Sequence, residues 1–150
     1  MKKQDVIISL QTVQNAGGAD GPDTLSFMTD GSYTFDGTEG CLSYDESEIT
    51  GLPGTRTTVR ILPDEIVVDR SGYLTSRMTF KEGEKTSFLY QMPFGDTTLR
   101  LNTRKVRHNF NDRGGTAEVD YVIDFAHEHV SENRLIIHVQ QTGGLNQCQI

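Results

Sequence analysis

Tryptophan is absent from this 150-residue chain, and cysteine occurs only twice and proline four times. Alanine, the best helix former, also occurs only four times, which argues against a helical protein. The two cysteines, Cys41 and Cys148, are far apart, and no Cys-x-x-Cys occurs. That spacing indicates neither a disulfide framework nor a zinc ribbon, and it suits free thiols in a reducing cytoplasm. Long apolar runs are missing too. After Met1-Lys2-Lys3-Gln4-Asp5 only Val6-Ile7-Ile8 are consecutively apolar, too few for a secretory signal or a spanning helix. Cations are in the minority, with 14 Lys and Arg against 21 Asp and Glu and a net charge of −7. Nucleic-acid binding needs clustered cations that displace counterions, so that class is disfavoured. A membrane partner is not expected either. Apolar residues make up 35% and charged residues 23%, which suits one soluble folded domain over residues 1–150.

Threonine, valine, isoleucine, phenylalanine and tyrosine are abundant, and such side chains suit a pleated, half-buried surface. From Leu25 to Phe35 the odd positions are mostly large and the even ones mostly polar, the period-two signature of a strand with one face inside. Gly31 interrupts that run and predicts a bend or bulge. Similar alternation recurs at Val6–Leu10, Leu42–Glu46, Thr57–Ile61, Ile66–Arg70, Leu74–Phe80, Phe88–Met92, Leu99–Thr103, Val119–Phe125 and Leu135–Val139. Turn signals separate most of these, among them Asp36-Gly37, Ser71-Gly72, Lys81–Glu84, Asn109–Gly115 and Ser131–Asn133. About ten short strands at this spacing predict an all-β fold, a single antiparallel, mostly meander β-barrel of about 8–10 strands. A mobile loop is expected over residues 15–23 and a frayed tail over 143–150.

Several positions in phase with the apolar face are polar: Tyr33, Tyr44, Glu46, Thr57, Arg70, Ser76, Tyr90, Thr103 and Tyr121. Glu46 and Arg70 matter most, because an unpaired buried charge costs several kcal/mol. Two arrangements satisfy that constraint. The carboxylate and guanidinium can pair as an internal strut, the commoner fate of buried ionised groups. Alternatively Arg70 faces a recess and grips a ligand's acidic group, with Tyr33, Tyr44 or Tyr90 orienting it and Glu46 bracing the guanidinium. His127 and His129 share a strand face and could chelate a metal with His138 or Glu46 as third ligand. Two solvated imidazoles are the expected reading, and no metal site is assigned. The cations Arg100, Arg104, Lys105 and Arg107 read as a solvated face.

Nucleophile elbows, His-Glu-x-x-His, phosphate-cradling loops and dinucleotide fingerprints are all missing. An enzyme is unsupported, and no cofactor is implied. Three expectations remain: a cytoplasmic barrel binding a small amphipathic acid, a packed-core protein-interaction module or homodimer, and, behind both, an enzyme.

The segments Gly31-Ser32-Tyr33, Leu42-Ser43-Tyr44-Asp45-Glu46, Arg70-Ser71-Gly72, Met78-Thr79-Phe80 and Tyr90 through Phe94-Gly95, with Leu101 and Thr103 after them, resemble the YwiB-like family of small bacterial proteins. The resemblance spans about Asp5 to Thr142. It implies a calycin-like barrel of the lipocalin-like group, many of whose members hold small apolar ligands, and it implies no activity. The Asn15–Asp23 loop is longer than the family pattern, and the Gln-rich tail lies outside it.

Overall fold

The alternation is realised as ten strands: β1 (Gln4–Asn15), β2 (Asp23–Phe35), β3 (Gly40–Asp45), β4 (Thr55–Ile61), β5 (Ile66–Gly72), β6 (Ser76–Phe80), β7 (Lys85–Met92), β8 (Gly95–Asn111), β9 (Gly114–Phe125) and β10 (Glu128–Gln141). They are seen in a computed structural model that describes residues 3–15, 21, 23–48, 51–125 and 128–142, without the side chains of 128–130. Most of the expected 15–23 loop, the 143–150 tail, His127 and Cys148 lie outside the described residues. Among the described residues there is no helical element, and no helix is long and apolar enough to cross a membrane.

All ten strands form one antiparallel sheet in the order β6-β5-β4-β3-β2-β1-β10-β9-β8-β7. Each strand therefore lies beside its sequence neighbour, except that β1 pairs with β10 and the sheet's two edges are β6 and β7. The β1–β10 ladder runs from Val6 opposite Gln141 to Asn15 opposite Glu132. The edges are paired at the Thr75–Gln91 bridge, through reciprocal main-chain hydrogen bonds of 2.9 and 3.0 Å. The sheet is thus nearly closed into a barrel. Closure needs curvature, and two bulges supply it. One lies in β8 between Thr103 and Lys105, and the other in β10 between His129 and Ser131.

The inward positions build one continuous core. Val6, Ile8, Leu42, Val59, Ile66, Phe80, Leu101, Val119 and Ile137 are each at most 2% exposed. Burial of such side chains contributes roughly 1.5–3 kcal/mol apiece. Every polar position assigned inward from the sequence falls on this face, and Tyr33, Tyr44, Glu46, Thr57, Ser76 and Thr103 are buried.

Three local expectations need correction. Ser131-Glu132-Asn133 is not a turn but lies within β10. Ser131 is buried there, and Asn133 Nδ2 donates to its Oγ at 2.9 Å. The polar triplet looked like a loop because the bulge beside it breaks the alternation. The Asn109–Gly115 loop shrinks to a tight turn at Asp112-Arg113, where the Asn111 side chain accepts from Arg113 N. Gly31 makes no bulge, since β1–β2 pairing runs through it unshifted. Its missing Cβ instead allows close approach, for a Cβ there would lie 2.6 Å from the Ser43 carbonyl oxygen.

Candidate functional site

A row of inward residues crosses four strands. Tyr44 on β3 lies opposite Thr57 on β4, Thr57 opposite Arg70 on β5, and Arg70 opposite Ser76 on β6. This is the direct consequence of period two, because lateral neighbours on one sheet face are forced together. Glu46 stands just past β3 and is held in the ladder by its N–H bond to the Thr55 carbonyl at 2.8 Å.

Glu46 is buried and hydrogen-bonded. Thr57 Oγ1 donates to its Oε2 at 2.5 Å, and the Tyr44 phenol lies beside the pair, close enough to feel the Glu46 charge. Burial first, then the Glu46 charge, pushes the Tyr44 phenol well above its ordinary range, while Arg70 pulls the other way. Arg70 is held less completely. Its Nε lies 3.7 Å from Glu46 Oε2, a Coulombic contact longer than a hydrogen bond, with the Arg70 side chain 24% exposed and that of Glu46 only 3%. One Nη faces the Met78 sulfur at 3.9 Å. Arg70 Nε and Ser76 Oγ are both buried without a hydrogen-bond partner. Tyr121, on β9, is close enough for the Arg70 charge to oppose the upward push of burial on its phenol.

The sequence-derived candidates thus divide. Arg70, Glu46 and Tyr44 come together. Tyr90 is half-buried on β7, and extending the Thr75–Gln91 register sets it opposite Ser76. Tyr33 does not join them. Its ring leans over Gly40 and against Phe110, and its hydroxyl donates to the Asn111 carbonyl at 2.7 Å. Thr57, Ser76 and Tyr121 belong to the cluster although sequence reading singled out none of them. Their inward phase was visible, but the lateral register that joins them to Arg70 was not. The suggested histidine pair, His127 and the side chain of His129, lies outside the described residues. His138 is exposed on the outer face with its ring bonded to Thr116, whereas Glu46 is inside. No group of three or more metal-binding side chains occurs among the described residues.

A cleft of about 610 Å³ opens between β6 and β7, with Arg70, Ser76 and Phe88 reaching it from the interior. It lies in the wall where β6 and β7 are joined by the Thr75–Gln91 bridge and not by a ladder. The centre of the barrel is filled by the apolar cluster, so the recess that reaches Arg70 is in the wall.

Taken together, these features define an all-next-neighbour antiparallel β-barrel with a charged cluster behind an open seam. The chain belongs to the family described as the domain of unknown function DUF1934, whose model matches residues 8–137. It is 25% identical over 136 residues to the uncharacterized β-barrel protein YwiB of Bacillus subtilis (strain 168), covering 91% of each chain. The crystal structure of the ywiB protein from Bacillus subtilis superposes with a TM-score of 0.82 at 22% identity, covering 93% of this chain and 92% of that one.

Proposed function

We propose that the protein binds a small amphipathic molecule through an acidic group held by Arg70 in the wall cleft. One observation carries this reading: Arg70 Nε and Ser76 Oγ lie in adjacent register, buried and unpartnered. Leaving a buried polar group unsatisfied costs about 1–3 kcal/mol, and more when it is charged. A carboxylate accepting from both atoms offsets that cost. Glu46 braces the guanidinium, Tyr44 and Thr57 hold Glu46 in place, and Tyr90 flanks the head group. Tyr33 has no part in this version of the site. The strand order accords with a lipocalin-like kinship. The free, half-buried thiol of Cys41 accords with a cytoplasmic location. No cofactor, nucleic acid or membrane enters the reading.

The test is native mass spectrometry of the protein as purified, followed by titration with octanoate monitored by amide chemical shifts. The expected result is saturable shifts around Arg70 and Ser76 that the Arg70→Met variant loses. A single unliganded mass after expression in several hosts, together with no octanoate shifts, counts against the reading.

The filled interior favours a second reading, a packed module that pairs with a partner or a second copy through the β6 and β7 edges. Sedimentation velocity over a concentration series tests the homodimer form, and a monomer throughout removes it.

A further inference from the structure

In an antiparallel ladder, alternate residues direct both main-chain groups at the same neighbour. Thr75 directs its N–H and C=O at Gln91, so Arg77 and Thr79 direct theirs the same way. On the other edge Leu89 and Ser87 follow Gln91 and face back. Continued register would pair Arg77 with Leu89 and Thr79 with Ser87, yet β6 and β7 are not paired beyond the bridge. The turn between them is drawn off to β8, where Gly83 N donates to the Thr103 carbonyl at 2.8 Å and Thr103 N to the Glu84 carbonyl at 3.0 Å. Four residues therefore present main-chain groups to the cleft without a strand partner, and all four line it. The outer rim is neutralised by Arg77 on Asp69 at 2.6 Å. Beneath it, Arg70 Nε is buried without a hydrogen-bond partner, 3.7 Å from Glu46 Oε2.

Two chemistries coincide here: strand edges that recognise amides, and a buried N–H and O–H that recognise a carboxylate. A simple amphipathic acid uses the second and leaves the first unmet. We propose that the ligand is an extended peptide segment with a free C-terminus. Its terminal carboxylate sits on Arg70 and Ser76, and its last few residues lie as a short strand in the gap between β6 and β7. This rests on the acid-binding reading above and names its ligand class. The volume, about 610 Å³, falls within the ~300–1,000 Å³ range of ligand sites, room for a few residues and not for a folded domain.

The experiment titrates isotope-labelled protein with three probes: the acetylated tetrapeptide Ala-Val-Ala-Leu as free acid, the same peptide with an amidated C-terminus, and octanoate. The expected result is that the free acid shifts the amides of Arg77, Thr79, Ser87 and Leu89. It should also bind about tenfold or more tightly than either comparator, a difference of ~1.4 kcal/mol or more. Arg70→Met should erase the preference for acid over amide; should that variant lose its fold, Ser76→Ala carries the same comparison. Ser87→Pro removes an edge N–H that has no partner in the free protein, a position where proline is tolerated. It should weaken the peptide and leave octanoate unchanged. If octanoate binds at Arg70 as well as the peptide does and the edge amides stay still, the peptide inference is overturned and the acid-binding reading stands. If peptide binding ignores both amidation and the Arg70 and Ser76 substitutions, the carboxylate anchor is overturned. If no probe shifts the residues around Arg70, both readings fall together.

Discussion

Thr57 tests how the buried charge is held. Its hydroxyl bonds Glu46 at 2.5 Å, whereas the Arg70 guanidinium stands off at 3.7 Å. The carboxylate is therefore hydrogen-bonded through the Thr57 hydroxyl, with Arg70 supplying field more than bonds. Thr57→Val should cost roughly 1–3 kcal/mol, the penalty for withdrawing a donor from a buried acceptor. Arg70→Met should cost less than the ~3–5 kcal/mol of a broken buried ion pair. Urea midpoints of the two variants decide the matter, and the reverse ranking makes Arg70 a structural strut. Tyr33 offers a separate test through pH. Burial, and secondarily the charge of Asp112, pushes its phenol up to about 12 from an ordinary value of 10. The folded state thus favours the neutral phenol. That contribution is whole below pH 10 and is lost as pH rises through 12. Tyr33→Phe should flatten this alkaline limb while losing about 1 kcal/mol at neutral pH with the bond to Asn111. Stability measured across the alkaline range checks the sign, and an unchanged limb refutes the assignment.

At the scale of strands, Gly31 shows where a residue's meaning depends on its neighbours. The backbone there needs no special dihedral, but a Cβ would meet the Ser43 carbonyl at 2.6 Å and the Ile8 side chain at 2.4 Å. Ile8 can rotate; the main chain of β3 cannot. Gly31→Ala should therefore destabilise by about 1–3 kcal/mol through overpacking, read as a lower urea midpoint with an unchanged slope. A neutral result would mean that β3 can move outward freely. The same contrast explains what could be read from residue order. The identity and faces of most strands were legible, because alternation is a local property and Leu42, Tyr44, Val59 and Arg70 carry it without reference to one another. Turn positions were less so: Ser131–Asn133 has the composition of a loop, yet the long β9–β10 hairpin absorbs it. For the site, the inward phase of Arg70, Glu46 and Tyr44 was legible, while their alignment with Thr57 and Ser76 depends on registers set by loop lengths between four strands. Tyr33 was misjoined for that reason, since phase alone does not say which way along the barrel a ring leans.

For the molecule as a whole, the unusual feature is where the chain closes and where it does not. Most extensive strand pairings join sequence neighbours; the exception is β1 with β10, which spans more than a hundred residues. The one neighbouring pair that barely meets is β6 with β7. Breaking the chain between Glu82 and Gly83 and joining Ile150 to Met1 would give the order β7-β8-β9-β10-β1-β2-β3-β4-β5-β6, in which every ladder links neighbours. The new joint between the paired ends of β10 and β1 would be only about a dozen residues long. Shortening a loop about tenfold relieves roughly 2 kcal/mol of closure entropy. All-β proteins are slow because such distant pairings must form before they are rewarded. The permutant should therefore reach the same fold and refold several-fold to tenfold faster. The cut spares the bonds of Gly83 and Glu84 to Thr103 and removes the Glu84 N bond to the Lys81 carbonyl. Stopped-flow chevrons of the two chains make the comparison. Acceleration on the folding limb places the β1–β10 ladder in the transition state. Equal rates would put the nucleus within one half of the sheet, and a permutant that fails to fold would show that the Lys81–Glu84 turn, and not the β1–β10 ladder, is what commits the barrel to close.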